Sequence, residues 1–160
     1  MSAKSIKDGK LVKKEQLNKY LICFSIILLL ILISVNLDKF ALNNYADIIV
    51  KNTGVGFGLL KDQGTFIKVL SFLIIVVVSS ILITILNKRN ISKTNKIDII
   101  SCILILSGSL SNLYERFVYG FVIDYIHNPI FPTFNLADSM ITAGAILILI
   151  GMIFENRINS

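Results

Sequence analysis

SGSLSNLYERFVYGFVIDYIHNPIFPTFNLADSMITAG, residues 107–144, joins the end of one apolar run to the start of the next across a short polar crossing. It holds two carboxylates, Asp124 in VIDY and Asp138 in NLAD. Asp138 opens a stretch without charge, Ser139–Phe154, and Ile99–Tyr114 before the crossing is another. Each is about 16 residues long, while a span needs about 20, so each crosses a bilayer only if polar residues at its end are drawn in. Ionisable side chains at that depth are costly and count as functional candidates.

Working outward, two more apolar runs lie at 20–37 and about 66–86, and the quoted stretch belongs to runs at about 97–118 and 134–154. The chain is 54% hydrophobic and 16% charged, with a mean hydropathy of +0.76. A typical soluble domain carries about 25% charged residues. The expected fold is an all-α membrane protein with four transmembrane helices, forming a single membrane domain over residues 1–160. The first run ends in VNLDKF, with no small-residue cleavage site, so it reads as a retained span rather than a signal peptide. The connection Asp38–Thr65 contains KNTGVGFG, in which Gly54, Gly56 and Gly58 alternate with other residues. That alternation suits a strand or tight turn close to another backbone. A small β-containing extracytoplasmic loop is therefore expected between the first two helices. A nucleotide-binding glycine loop is a poor reading, because no strand–helix–strand unit surrounds these glycines.

The formal net charge is +6, and in a soluble protein that would suggest nucleic acid. Here the cations report topology instead, and no nucleic-acid partner is expected. Eleven of the sixteen Lys and Arg lie in the N-terminal tail, the loop after the second run and the C-terminal tail. Positive residues favour the cytoplasmic side, so both termini are expected in the cytoplasm and Asp124 toward the outer face. Counting from Phe154 at the inner boundary, Asp138 lies about 24 Å up at 1.5 Å per residue. Counting from Ile99, Asn112 lies about 20 Å up and Arg116 about 26 Å up. Both spans thus bring polar groups to one level of the outer leaflet.

Each candidate also has a plain reading. Asn135 can cap the fourth helix, which makes Asp138 a first-turn acid suited to the helix dipole. Asp124 can be a loop carboxylate and Arg116 an interfacial anchor with its head drawn to water. Gly108, Asn112 and Glu115 share a helical face, flanked by Ser107 and Ser111, where small residues permit close helix packing. His127 reads as structural. Tyr114, Tyr119 and Tyr125 suit an aromatic belt. Ser71, Ser79, Ser80 and Thr84 read as lipid-facing or packing residues. Cys23 and Cys102 have no CxxC partner and no nearby His, so buried thiols are expected, with neither a disulfide nor a metal.

Three blocks in order resemble the lipoprotein signal peptidases, the signal peptidase II family of bacterial membrane aspartic peptidases. KNTGVGFG resembles the family's Asn-x-Gly-x-x-Phe-Gly block. SGSLSNLYERFVYGFVIDYI resembles Gly-Gly-x-x-Gly-Asn-x-x-Asp-Arg running on to Val-x-Asp-Phe. FNLADSMITAG resembles Phe-Asn-x-Ala-Asp-Ser with its trailing glycine. The resemblance covers about residues 20–155. It implies that Asp124 and Asp138 are the catalytic pair, and that Asn52, Gly54, Asn112, Arg116, Asn135 and Ala137 are binding and supporting residues. The chain departs from the pattern at Ser107 and Ser111, where glycines are usual, at Glu115, which replaces Asp, and at Tyr125, which replaces Phe. Asp38 and Lys39 are adjacent, so the family's Asp-x-x-Thr-Lys is not reproduced.

The resemblance implies cleavage of a prolipoprotein just before a lipobox cysteine that already carries diacylglycerol, in the bacterial inner membrane. No cofactor is implied. A monomer contacting membrane lipids is expected. Two carboxylates sharing one proton supply the base toward water and the acid toward the leaving amine. Which Asp takes which part stays open at this stage. The rival readings are a small proton-coupled transporter or channel subunit, and an inactive lipid-binding relative. Against the first, both acids sit at one edge. Against the second, both acids are present.

Overall fold

The computed structural model describes residues 3–54, 60, 63–88 and 91–159, with the backbone alone for 3–12, 93, 94 and 154–159. Val55, Gly56, Phe57 and Gly58 of the glycine-alternating stretch lie outside the described residues. The elements run α1 (Ala3–Asn44), β1 (Val50–Asn52), α2 (Gly64–Leu86), α3 (Lys93–Val118), β2 (Val122–Asp124) and α4 (Leu136–Asn159). All four helices are long and apolar enough to cross a membrane. The strands form one antiparallel pair, so the fold is a four-helix membrane protein with a small β element.

α1 is longer than the apolar run it contains. Hydropathy alone marks 20–37, but the helix continues to Asn44, and its 42 residues measure about 63 Å at 1.5 Å each. No Gly or Pro stands between Asp38 and Asn44, so nothing there stops the helix. Asp38 and Lys39, expected at the start of the first loop, therefore lie inside α1. Asp38 is fully buried, and Ser34 Oγ, one turn earlier, donates to its Oδ2 at 3.3 Å.

α3 contacts each of the other three helices. Ser92 and Asn95 start it as a capping box: Asn95 N donates to Ser92 Oγ at 3.1 Å, and Ser92 N donates to Asn95 Oδ1 at 3.4 Å. Its closest neighbour is α4, and glycine sets the approach. A Cβ on Gly108 would run into the Ala137 carbonyl oxygen, and one on Gly144 would sit 2.8 Å from the Ser101 carbonyl oxygen. Close approach through small residues is how helices associate in a bilayer, where lipid tails are as apolar as Leu. Ser107 and Ser111 fit the same crowded region because their hydroxyls fold onto their own helix. Ser107 Oγ donates to Ile103 O at 2.7 Å and Ser111 Oγ to Ser107 O at 2.9 Å. Cys23 and Cys102 are buried free thiols in the cluster with Leu82, Leu86, Ile103 and Leu106. Phe24, Leu29, Phe72, Val77, Leu149 and Met152 stay exposed, as lipid-facing side chains should.

Candidate functional site

α3 ends where the site begins. Tyr119 N donates to Glu115 O at 2.7 Å, and Gly120 follows with φ +82°, a left-handed conformation that suits glycine after a helix. That turn sends the chain back as β2. β2 pairs with β1 in the register Val50↔Asp124, Lys51↔Ile123 and Asn52↔Val122. Asn52 and Asp124 are thus diagonal neighbours on one face of the pair, within reach of each other's side chains. Asn52 Nδ2 donates to Asp124 Oδ2 at 2.9 Å.

The network runs on from there without a break. Asn52 Oδ1 accepts the Gly54 amide at 2.9 Å, which fixes the turn after β1. Arg116 Nη2 donates to the Gly54 carbonyl at 2.9 Å, and Nη1 to the Asn112 carbonyl at 3.3 Å. Asn112 Nδ2 donates to Asp138 Oδ1 at 2.8 Å, and its own Oδ1 accepts from Asn135 Nδ2 at 3.0 Å. Asn135 caps α4: Asp138 N donates to Asn135 Oδ1 at 2.8 Å, and Asn135 N donates back to Asp138 Oδ2 at 3.4 Å. The capping reading of Asn135 and Asp138 therefore holds, and Asn112 adds a partner from another helix.

Seven of the eight candidates lie in this one network. Ala137 is the exception. It is fully buried and serves the contact with Gly108. Arg116 is buried rather than drawn to water. A hydrogen bond to a charged group contributes about 1.5–3 kcal/mol, against about 0.5–1.5 for a neutral one, so its guanidinium is a strong tie between α3 and Gly54.

The two acids sit in different surroundings. Asp124 is 1% exposed, and Asp138 is half-buried. Burial pushes the Asp124 carboxyl up to about 7; the Asn52 hydrogen bond opposes this, and the nearby Asp138 adds to it. Asp124 Oδ1 has no hydrogen-bond partner among the described residues.

Three residues behave otherwise than their sequence positions suggest. Tyr125 is half-buried with its Oη turned inward, where Asp38 of α1 interacts with it. Glu115 is not simply a packing-face residue: its Oε2 accepts the Ile123 amide at 3.0 Å. Asp38 belongs to the same buried group. The signal for it is its position four residues after Ser34, on a helix that has no stop. His127 is exposed, with Nδ1 3.3 Å from Thr133 Oγ1.

Fold and site together define a polytopic α-helical membrane protein with two carboxylates held in one polar network at one end of its bundle. Residues 11–154 match the family model described as signal peptidase (SPase) II. A lipoprotein signal peptidase of Syntrophomonas wolfei is 38% identical over 68% of either chain. One from Pseudomonas aeruginosa is 41% identical over 63% of this chain and 62% of its own. One from Pseudoalteromonas translucida is 38% identical over 62% and 61%. Two solved bacterial membrane enzymes share the fold. One has a TM-score of 0.72 at 22% identity, covering 84% of this chain and 89% of that one. The other has a TM-score of 0.68 at 23% identity, covering 82% and 92%. The chain belongs to the signal peptidase II family.

Proposed function

We propose that this chain is an intramembrane aspartic endopeptidase that cleaves the signal peptide from diacylglyceryl-modified prolipoproteins, just before the lipidated cysteine. The observation that carries the reading is the single hydrogen-bonded network that engages both Asp124 and Asp138, with Asp124 buried and its carboxyl raised to about 7. An acid and a base of different character, held near each other, are what peptide hydrolysis needs.

The two carboxylates divide the work. Both oxygens of Asp138 accept N–H donors, which orients it as the base toward water. Asp124 carries the proton of the pair on Oδ1, which has no hydrogen-bond partner among the described residues. Asp138 takes a proton from water, the hydroxide attacks the scissile carbonyl carbon, and the Asp124 proton passes to the carbonyl oxygen. The tetrahedral intermediate then collapses. The C–N bond breaks as the amine of the lipidated cysteine takes a proton from Asp138, and Asp124 recovers its own from the second hydroxyl. Neither step calls for a metal. Asn52, Gly54, Asn112, Arg116 and Asn135 hold the pair in register.

The whole chain acts as one membrane domain and as a monomer, in contact with lipid and not with nucleic acid. With both termini in the cytoplasm the acids face the outer leaflet, where a lipid-anchored cysteine holds its scissile bond. The test is a gel shift on a diacylglyceryl-modified proprotein with purified protein in detergent and no ion gradient. Wild type cleaves, while Asp124→Asn and Asp138→Asn each lose about a thousandfold or more with helix content unchanged. Wild-type activity in either variant, at matched protein, removes that residue from the pair. Because the proton on Asp124 is required, kcat falls as pH rises through about 7.

A further inference from the structure

Behind Asp124 lies a second group of buried polar side chains, outside the network just described. Glu115, Asp38 and Ser34 are each at most 1% exposed. Glu115 Oε2 accepts the amide of Ile123, the residue before Asp124. Tyr125, the residue after Asp124, interacts with Asp38, and Asp38 also interacts with Glu115. Asp38 Oδ1, Glu115 Oε1 and Tyr125 Oη are buried without a well-formed hydrogen bond among the described residues. Buried polar atoms left so are rare and costly, so a structure that keeps them has a use for the groups that carry them. Among the described residues, no three Asp, Glu, His or Cys side chains converge as metal ligands would.

What these groups share is the strand between them. β2 is three residues long and, among the described residues, has β1 alone as a sheet partner, too short a pairing to be rigid by itself. The chain beyond β2 is held at Phe134, whose carbonyl accepts the Tyr125 and Ile126 amides, and both chain neighbours of Asp124 are also addressed from the helices, Ile123 by Glu115 of α3 and Tyr125 by Asp38 of α1.

We infer that Glu115 is a positioning residue for the reaction, holding β2 by the Ile123 amide so that the Asp124 carboxyl stays aligned with Asp138. Asp38, with Tyr125, braces the same strand from α1. The inference rests on the reading of Asp124 as a catalytic acid. Misplacement of one member of a reacting pair by about 1 Å costs rate rather than substrate affinity.

The variants Glu115→Met and Glu115→Gln separate this from a merely structural role. Met fills a similar volume with no acceptor, while Gln keeps a carbonyl oxygen for the Ile123 amide. Steady-state cleavage of a diacylglyceryl-modified proprotein is measured across pH, with helix content and monodispersity in micelles as the check on folding. Glu115→Met is expected to lower kcat about tenfold or more, with KM within about twofold. Its alkaline limb should move to lower pH, since a loosened β2 leaves Asp124 less buried while Asp38, Arg116, Tyr125 and Asp138 remain around it. Glu115→Gln should recover most of the lost kcat. Three results overturn the inference: Met with wild-type kcat, Met and Gln failing alike, or a loss that resides in KM. Asp124→Asn is run beside them. If it stays active, the reading of Asp124 is what fails. If it is inactive while Glu115→Met cleaves like wild type, only the role given to Glu115 fails.

Discussion

Arg116 is the residue at which the sequence leaves two readings, and its surroundings choose between them. An anchor at the interface needs only a long stem and a positive charge. The guanidinium here is buried and donates in two directions, to Gly54 O and to Asn112 O. A lysine ammonium keeps the charge but lacks the planar fork that makes both bonds at once. Arg116→Lys should therefore insert normally yet cleave about ten- to a hundredfold more slowly, with kcat affected, because the segment carrying Asn52 is released from α3. A time course of wild type, Arg116→Lys and Arg116→Ala at equal protein checks this. If lysine matches wild type while alanine fails, Arg116 acts as a charge alone.

At the scale of elements, what can be read from the sequence divides along a physical line. The spans are legible because lipid demands long apolar runs, and the bundle's polar end is legible because Asn112, Arg116, Asn135 and Asp138 stand where such runs meet the crossing. The end of α1 is not legible. Hydropathy reports where lipid stops, whereas a helix stops only where its backbone or caps require it, and 38–42 contains no Gly, Asn or Pro. By hydropathy Asp38 consequently falls in a loop, and its meeting with Glu115 and Tyr125 is a contact between three distant segments that no local pattern encodes. Glycine shows the same line from the other side. Gly108 is legible as a small residue on a packing face, but its need for the missing Cβ comes from the Ala137 carbonyl across the α3–α4 crossing. Gly108→Ala should destabilise the bundle by about 1–3 kcal/mol, the usual cost of overpacking. At Gly64, the start of α2, an added methyl group would meet nothing within 4 Å, so Gly64→Ala should be neutral or mildly stabilising. Thermal unfolding in micelles compares the two. Equal midpoints would mean that the α3–α4 approach is not limited at Gly108.

At the scale of the whole molecule, the two ends of the bundle differ in kind. One end gathers the strand pair, both acids and the Arg116 tie. The other carries the lysine-rich start of α1, the α2–α3 connection and the C-terminus. α1 is about twice as long as the roughly 30 Å of hydrocarbon, so it projects from the bilayer, and its lysine-bearing first turns suit the anionic inner surface better than the apolar core. Eleven of the sixteen Lys and Arg fall in the two tails and the loop after the second apolar run of the sequence, and the rule of positive residues inside orients short-looped bundles by such a bias. The expected topology therefore has residues 1–19, 87–96 and 155–160 in the cytoplasm and the acids facing out. Reporter fusions after Asn90 and after Ser160 should read as cytoplasmic, and one after Gln63 as external. An external signal after Asn90 would invert the bundle. That would place Asp124 and Asp138 on the face away from a lipid-anchored proprotein, and the proposed substrate would have to be abandoned along with the topology.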